Sequence, residues 1–397
     1  MTLKLVSLSA ASAALYAVIA RVSALPGAAY FSSEWYDAPS YECSVEFWVL
    51  WLGLVGLYAI AVHLARDARG GRPAMTVIIV AALAFRAIVL WSSAFDAEPR
   101  AAFLQSPTPL TTLGNELLPS ETTRRLAATG FDVAAMALAP SLLTAAGLPV
   151  TLVVVHAWNP LAIIESSGRG RLELAAFFLL LWSIKRAQKG QRAGAAALYG
   201  ACLTGPLTLV STAPLMTRLL GSRGALAVGI GTAGWWLSGV GVGATWLERI
   251  GWPPEGLVGG SLTPVLSALA SLFVTRSPWP PLALAIGVGF TVITVRALRI
   301  DTKNPSGQIP REALFASVGL LFVAPEVLPV MFVLAAYLGA YTHNRGWLFF
   351  TATAPVSYVA GAISGFGFWM GFAQFFLPFT ALVFWGLGRP PPRRAAG

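Results

Sequence analysis

Residues 156–186, HAWNPLAIIESSGRGRLELAAFFLLLWSIKR, contain two apolar runs joined by a short turn rich in Gly and Arg. Because proline lacks a backbone donor, Asn159-Pro160 predicts a kink or an end in the first helix. Four charged side chains lie between the two runs: Glu165, Arg169, Arg171 and Glu173. Ionisable groups placed between apolar helices are costly, and each such group is a candidate for a functional site.

The chain as a whole is apolar. Of its 397 residues, 56% are hydrophobic and 11% are charged, whereas a soluble protein usually carries about a quarter charged residues. Apolar runs of roughly 18–22 residues, the length with which a helix crosses a bilayer, recur along the sequence. The sequence therefore predicts an all-α polytopic membrane protein, with one transmembrane domain over 1–397 and no soluble domain.

The distribution of charge predicts the topology. The net charge of +10 does not indicate a nucleic-acid partner, because Lys and Arg lie mostly in short loops, as the positive-inside rule expects of cytoplasmic loops. The segments predicted to be cytoplasmic are 66–73, 184–192, 296–311, 343–346 and the tail 389–397. Alternation places on the outer side the loops 26–47 and 95–125, the turn 166–171 and a Trp-rich interfacial element at 246–262. Both termini are expected to be cytoplasmic.

Some of the apolar segments are too short to cross a bilayer alone. Segments 193–204 and 206–219 are separated by Gly205-Pro206, which predicts a broken helix or a half-spanning hairpin. Such backbone is tolerated at membrane depth only where protein or a water-filled cavity shields it. We expect about 12–14 membrane segments in total. Cys43 and Cys202 have neither the spacing of a zinc site nor a reason to form a disulfide.

Several motifs resemble those of one enzyme family. Asn-Pro-Leu-Ala-Ile-Ile-Glu (159–165), a Gly-containing turn and a long apolar helix resemble the bacterial polyprenol-phosphate-sugar-dependent glycosyltransferases of the GT-C superfold, which are mannosyl- and related transferases. The helix–turn–helix pattern of 126–165, with Asp132, is similar to theirs. So are the segments 259–273 and 325–359.

The resemblance implies a GT-C-like bundle that transfers a sugar at the outer face of a membrane, here the bacterial inner membrane. The donor would be a polyprenyl-phosphate hexose such as mannose, the acceptor a lipid or glycan, and the reaction inverting. In many members a divalent cation, Mg²⁺ or Mn²⁺, assists, and in others Arg or Lys does so. Both alternatives stay open for this chain.

The resemblance also implies candidate site residues. The family's catalytic base is an Asp or Glu in the first large outer loop, which here points to Asp96 with Glu98 beside it. A base suits the reaction because the acceptor hydroxyl loses its proton as it attacks the sugar. The residues predicted to bind donor phosphate or substrate are Arg171, Arg169, Glu165, Glu173, Arg100, Asp132 and Asn159.

The same residues could instead have purely structural roles. Asp96, Glu98, Glu165 and Glu173 would be ordinary solvated acids at a membrane boundary. Pairing of Arg169 or Arg171 with Glu165 would instead fold the turn.

Three further residues have structural explanations of their own. His156 is expected to form a helix–helix hydrogen bond rather than to bind a ligand. Arg124 and Arg125 break the positive-inside rule, so they are candidates for contacts with anionic headgroups unless the folded loop simply accommodates them.

A second function is open because the chain departs from the family's pattern. It lacks the family's Trp-Asp-Gly, and Gly205 replaces an expected Lys. The alternative is a catalytically inactive GT-C-like subunit that binds lipid or scaffolds a membrane complex with a partner subunit.

Overall fold

A computed structural model describes residues 2–22, 45–67, 72–92, 108–237, 279–300, 308–321, 329–342 and 346–355. Within these ranges the regular secondary structure is helical, and no strand occurs. The predicted interfacial element 246–262, the tail 389–397 and nearly all of the outer loop 26–47 lie outside the described residues.

Fifteen α-helices are numbered here in chain order within the described ranges. They are α1 (Thr2–Val22), α2 (Val45–Asp67), α3 (Arg72–Leu90), α4 (Pro109–Leu117), α5 (Glu121–Ala145), α6 (Val154–Ala157), α7 (Pro160–Ile163), α8 (Glu173–Gln188), α9 (Arg192–Cys202), α10 (Ala213–Leu220), α11 (Ser222–Leu237), α12 (Trp279–Leu298), α13 (Gln308–Leu321), α14 (Pro329–Gly339) and α15 (Gly346–Thr353). Short 3₁₀ segments precede α6 and α10, and a π-helical turn, Ile164–Gly168, follows α7.

Four described helices are long and apolar enough to cross a membrane. They are α1, α2, α3 and α5, and the bent pair Val150–Ala157 and Pro160–Gly168 makes a fifth if it is counted as one span. These helices indicate a membrane protein, as the composition predicts. The expected total of 12–14 segments refers to the whole chain and stays a prediction.

The predicted break at Asn159-Pro160 is present. The two halves of the bent pair meet at 58°, and Pro160 is the first residue of α7, where a missing backbone donor costs nothing. Asn159 caps α7, because its side-chain oxygen accepts a hydrogen bond from the backbone N–H of Ala162 at 3.2 Å. Its amide nitrogen donates to the Tyr58 hydroxyl at 3.2 Å and to the Thr351 hydroxyl at 3.1 Å. Asn159 therefore holds the broken helix against α2 and α15.

The helices on either side of Gly205-Pro206 are short, as the sequence predicts. Helix α9 has 11 residues and α10 has 8, both too few to cross a bilayer. A side chain at Gly205 would overlap the methyl group of Ala176 on α8. Gly205 therefore sits at a close helix contact, which explains in steric terms why a long side chain such as Lys is absent here.

The predicted outer loop 95–125 is partly helical. Helix α4 begins at Pro109 after a capping box formed by Thr108 and Thr111, and α5 begins at Glu121. The backbone N–H of Leu110 donates to the carbonyl of Thr204 at 3.1 Å, so α4 is fixed against the end of α9. The described part of this segment is thus packed on the helical bundle.

The turn after α7 is closed by tight backbone contacts. The N–H of Arg169 donates to the carbonyl of Ile164 at 2.9 Å, and the N–H of Arg171 donates to the carbonyl of Glu165 at 3.0 Å. Gly170 has a positive φ of 63°, and a Cβ there would lie 2.9 Å from the backbone nitrogen of Arg125. Glycine at this position lets the turn pack directly on the first turns of α5.

Gly170→Ala tests this packing. We expect it to lower the free energy of unfolding by more than Gly190→Ala, because Gly190 has a similar φ of 74° but open space around its Cβ position. The control should cost about 1–2 kcal/mol for the left-handed backbone alone, and Gly170→Ala should add the steric cost to that. Thermal unfolding of both purified variants measures the difference, and equal losses would contradict the close contact.

Candidate functional site

A buried carboxylate, Asp132, lies where several helices meet. It is fully buried on α5. Its Oδ1 accepts hydrogen bonds from Tyr337 Oη at 2.6 Å and His156 Nε2 at 2.7 Å. Its Oδ2 accepts from Arg86 Nε at 2.7 Å and Ser166 Oγ at 3.1 Å. We call Asp132 and these four partners the Asp132 cluster. Its hydrogen bonds join α3, α5, α6, α14 and the π-helical turn.

Arg86 supplies the positive charge of the Asp132 cluster. It lies inside the apolar helix α3, is 1% exposed, and its Nη2 approaches Asp132 Oδ2 at 2.7 Å. Its Nη1 donates to the carbonyls of Ala82 and Ala157 at 3.0 and 2.8 Å. Arg86 is not among the site residues predicted from the sequence. A lone Arg within the apolar run AALAFRAIVL was the signal that could have found it.

His156 acts as the helix–helix hydrogen-bonding residue that the sequence predicts. Its Nε2 faces Asp132, its ring lies 3.9 Å from that of Tyr337 between centroids, and its Nδ1 is buried without a hydrogen-bond partner. An imidazolium carries a proton on each nitrogen and would bury one of them unpaired. The contacts therefore favour the neutral ring with its proton on Nε2, which leaves Arg86 and Asp132 as a balanced pair of charges.

The four charged residues between the apolar runs form a second group, which we call the charged turn: Glu165, Arg169, Arg171 and Glu173. Arg169 Nε lies 3.8 Å from Glu165 Oε1, and Arg171 Nε lies 3.5 Å from Glu165 Oε2. These are the ion pairs that the structural alternative predicts. Glu165, Arg171 and Glu173 are at most 3% exposed, so the alternative of solvated boundary acids is wrong for Glu165 and Glu173.

Carboxylate oxygens of the charged turn are incompletely paired. Neither oxygen of Glu165 accepts a hydrogen bond, nor does Glu173 Oε1, although all three are buried. A buried polar atom without a hydrogen bond costs about 1–3 kcal/mol, and more if it is charged. Such atoms are uncommon in folded proteins, and a bound ion or a catalytic role is among the explanations for them. In this respect the charged turn differs from the Asp132 cluster, where the carboxylate is saturated.

Arg125 connects the π-helical turn, which precedes Arg169, to the end of α3. It is 6% exposed and donates through Nε to the carbonyl of Ser167 at 2.8 Å. Its Nη2 donates to the carbonyls of Val89 and Ser92, each at 2.7 Å. The exception to the positive-inside rule at Arg125 is therefore explained by contacts within the fold. Ser92 is the last described residue before the segment 93–107.

The other end of that segment is fixed nearby. Thr108 is buried and caps α4, and Gly114 of α4 packs against Leu172, next to the charged turn. Asp96, Glu98 and Arg100 lie between Ser92 and Thr108, outside the described residues. On one side Ser92 binds Arg125, which also binds Ser167, and on the other side α4 packs against Leu172 beside Arg171.

The donor groups of the charged turn do not suit a resident metal ion. A cation there would meet two carboxylates, Glu165 and Glu173, together with the guanidinium groups of Arg169 and Arg171. Within the described ranges no group of three or more His, Cys, Asp or Glu side chains could hold a metal. The guanidinium groups instead suit an anion, because their planar forks match phosphate oxygens.

Arg86→Ala tests the Asp132 cluster. It would leave a fully buried carboxylate without its positive partner, which costs about 3–5 kcal/mol of unfolding free energy. Arg72→Ala is the matched control, because Arg72 lies at the exposed start of the same helix and should change stability by less than about 0.5 kcal/mol. Unfolding of both variants in mixed micelles gives the comparison. Equal stability would show that Asp132 is not held as a charge.

The site thus combines a saturated carboxylate that joins helices with a buried charged turn whose carboxylates are incompletely hydrogen-bonded. Of the predicted site residues, Glu165, Arg169 and Arg171 are brought together as ion pairs, while Asp132 and Asn159 form contacts within the fold. Comparisons with protein-family models, with characterised proteins and with solved structures found no match.

Proposed function

We propose that the chain is a glycosyltransferase that moves a hexose from a polyprenyl-phosphate donor to a lipid or glycan acceptor at the outer face of the membrane. The observation that carries the proposal is the charged turn. It places the buried guanidinium of Arg171 and the partly buried one of Arg169 at a turn between apolar helices, beside carboxylate oxygens that accept no hydrogen bond. A lipid phosphate has the charge to bind such guanidinium groups and a hydrocarbon chain that fits apolar surroundings.

Arg171 is the residue assigned to the donor phosphate, with Arg169 beside it. The Nε atoms of Arg169 and Arg171 lie 3.8 and 3.5 Å from the carboxylate oxygens of Glu165, and these distances are longer than that of a typical hydrogen bond. A phosphate that enters the turn would replace long ion pairs by direct charge-assisted hydrogen bonds, which are the stronger interaction. Glu165 and Glu173 would then orient the two guanidinium groups and balance their charge.

Asp96 is the residue assigned to the catalytic base, with Glu98 and Arg100 next to it in the sequence. Asp96 follows Ser92 by four positions, and the carbonyl of Ser92 is bound by the same Arg125 that binds Ser167. A tether of four residues spans at most about 14 Å. Asp96 therefore cannot lie farther than this from Ser92, and we assign it to a sugar whose phosphate is bound at the charged turn.

The reaction follows from these assignments. The acceptor hydroxyl gives its proton to the Asp96 carboxylate while its oxygen attacks the anomeric carbon on the face opposite the phosphate. The bond between the anomeric carbon and the phosphate oxygen breaks, and the lipid phosphate leaves with the electron pair. The guanidinium of Arg171 stabilises the charge that develops on the leaving oxygen. The configuration at the anomeric carbon is inverted.

Asp96→Asn tests the base. We expect transfer from a radiolabelled polyprenyl-phosphate mannose to fall by about 100-fold or more, because the amide cannot take the proton. Glu116→Gln, an exposed carboxylate on α4, is the control and should keep full activity. Wild-type turnover by Asp96→Asn with normal membrane insertion would remove Asp96 from the mechanism.

Arg171→Lys tests the phosphate contact while keeping the charge. A lysine cannot form the two parallel hydrogen bonds of a guanidinium, so kcat/KM should fall by about 10- to 100-fold. Arg192→Lys, at the exposed start of α9, should leave the rate unchanged. The same assay measures both variants, and an unaffected kcat/KM in Arg171→Lys would contradict a role in binding phosphate.

A second candidate function is supported by the contacts of two other predicted site residues, Asp132 and Asn159. Asp132 accepts four hydrogen bonds within the chain, and the Asn159 side chain caps α7 while donating to two hydroxyl groups. The side-chain polar atoms of both residues, which the sequence predicted to bind substrate, are therefore used in contacts within the chain. A catalytically inactive GT-C-like subunit that scaffolds a membrane complex needs only such structural polar contacts. Co-purification of a stoichiometric partner with no turnover by the isolated chain would favour it.

A further inference from the structure

A groove lies between α10, α11 and α12, away from the residues discussed so far. Its volume is about 710 Å³, within the range of small-molecule sites in proteins. Its lining is largely apolar and includes Pro214, Val228, Phe290 and Ala297, together with Thr217 and Arg218. No residue of the charged turn or of the Asp132 cluster lines it, so it does not depend on the proposed transferase activity.

The helices around the groove carry apolar side chains on their exposed surface. Leu226 and Ile230 of α11 are 64% and 59% exposed, and Val288 and Leu298 of α12 are 55% and 61% exposed. Exposed apolar surface of this extent is unfavourable in water and indicates contact with hydrocarbon. The groove therefore opens among surfaces that suit the acyl region of a bilayer.

Arg218 brings a positive charge to this apolar groove. It lies in the last turn of α10, is exposed, and takes part in none of the ion pairs found in the described ranges. Arg296 of α12 differs, because Glu312 binds it through two hydrogen bonds of 2.7 and 2.8 Å and Phe315 covers it at 4.0 Å. The charge of Arg218 is thus available to an anion, whereas that of Arg296 is neutralised within the fold.

We propose that this groove binds an anionic membrane phospholipid, with its phosphate on Arg218 and an acyl chain between α10, α11 and α12. The combination of one guanidinium with an apolar groove matches a molecule that has one charged end and a hydrocarbon chain. Ala297 and Leu298 of the lining fall in the segment 296–311 that the loop charges place on the cytoplasmic side. The cytoplasmic leaflet is the anionic one, and each Lys or Arg near its surface favours binding.

The test uses the full chain reconstituted with equal amounts of phosphatidylglycerol and phosphatidylcholine, followed by native mass spectrometry of the released protein. Wild type should retain phosphatidylglycerol in preference to phosphatidylcholine. Arg218→Gln should reduce retained phosphatidylglycerol by about fivefold, the effect of one surface arginine. Arg223→Gln is the matched control, because Arg223 is exposed on α11 and does not line the groove, and it should retain the wild-type amount.

A second variant tests the hydrocarbon half of the groove. Ala225 is exposed and lines it, so Ala225→Trp should fill the groove and reduce retention of both lipids without disturbing buried packing. The proposal is overturned if Arg218→Gln and Ala225→Trp both retain phosphatidylglycerol as wild type does, or if Arg223→Gln loses as much as Arg218→Gln. Displacement of the bound lipid by inorganic phosphate alone would overturn the acyl-chain contact.

Discussion

A charge buried among apolar helices must find its partners within the protein, because hydrocarbon offers none. Asp132 meets this constraint with four hydrogen-bond donors from separate parts of the chain, including the guanidinium of Arg86 and the hydroxyl of Tyr337. Each donor fixes the helix that carries it relative to α5. The positions of α3, the broken helix and α14 therefore depend on one carboxylate.

This arrangement sets the position of the charged turn. Ser166 of the π-helical turn donates to Asp132, and the next residue, Ser167, is bound by Arg125. The turn is thus held on both sides immediately before Arg169 and Arg171. Holding it in place keeps the guanidinium groups of Arg169 and Arg171 beside carboxylate oxygens that lack hydrogen bonds. A flexible turn would relax this arrangement by exposing these groups to water. Rigid placement of charged groups is what the proposed sugar transfer would require.

Local features were the ones that the sequence predicted well. The break at Asn159-Pro160, the short segments on either side of Gly205-Pro206 and the pairing of Glu165 with nearby arginines depend on residues close together in the chain, where proline chemistry and spacing decide the outcome. The same reading explained His156 as a helix–helix contact. It could not identify the partner, because Asp132 lies on another helix.

Contacts between distant segments were missed for a physical reason. Tyr337 and Asp132 are 205 positions apart, and no local pattern of apolar residues reveals which tyrosine faces a given carboxylate. Arg86 was overlooked although an arginine within an apolar run is itself a signal. Arg125 was interpreted from the rule for loops, but it lies within a helix whose packing gives it three backbone carbonyls.

The most direct test of this account is a double-mutant cycle on Arg86 and Asp132 using Arg86→Met and Asp132→Asn. Each single variant leaves one buried charge without its partner, and the double variant removes both charges. We expect the double variant to lose less unfolding free energy than the two single variants lose together. The difference, which is the coupling free energy, should be about 2 kcal/mol or more in mixed micelles. Losses that add to within about 0.5 kcal/mol would contradict the claim that this ion pair holds the helices together.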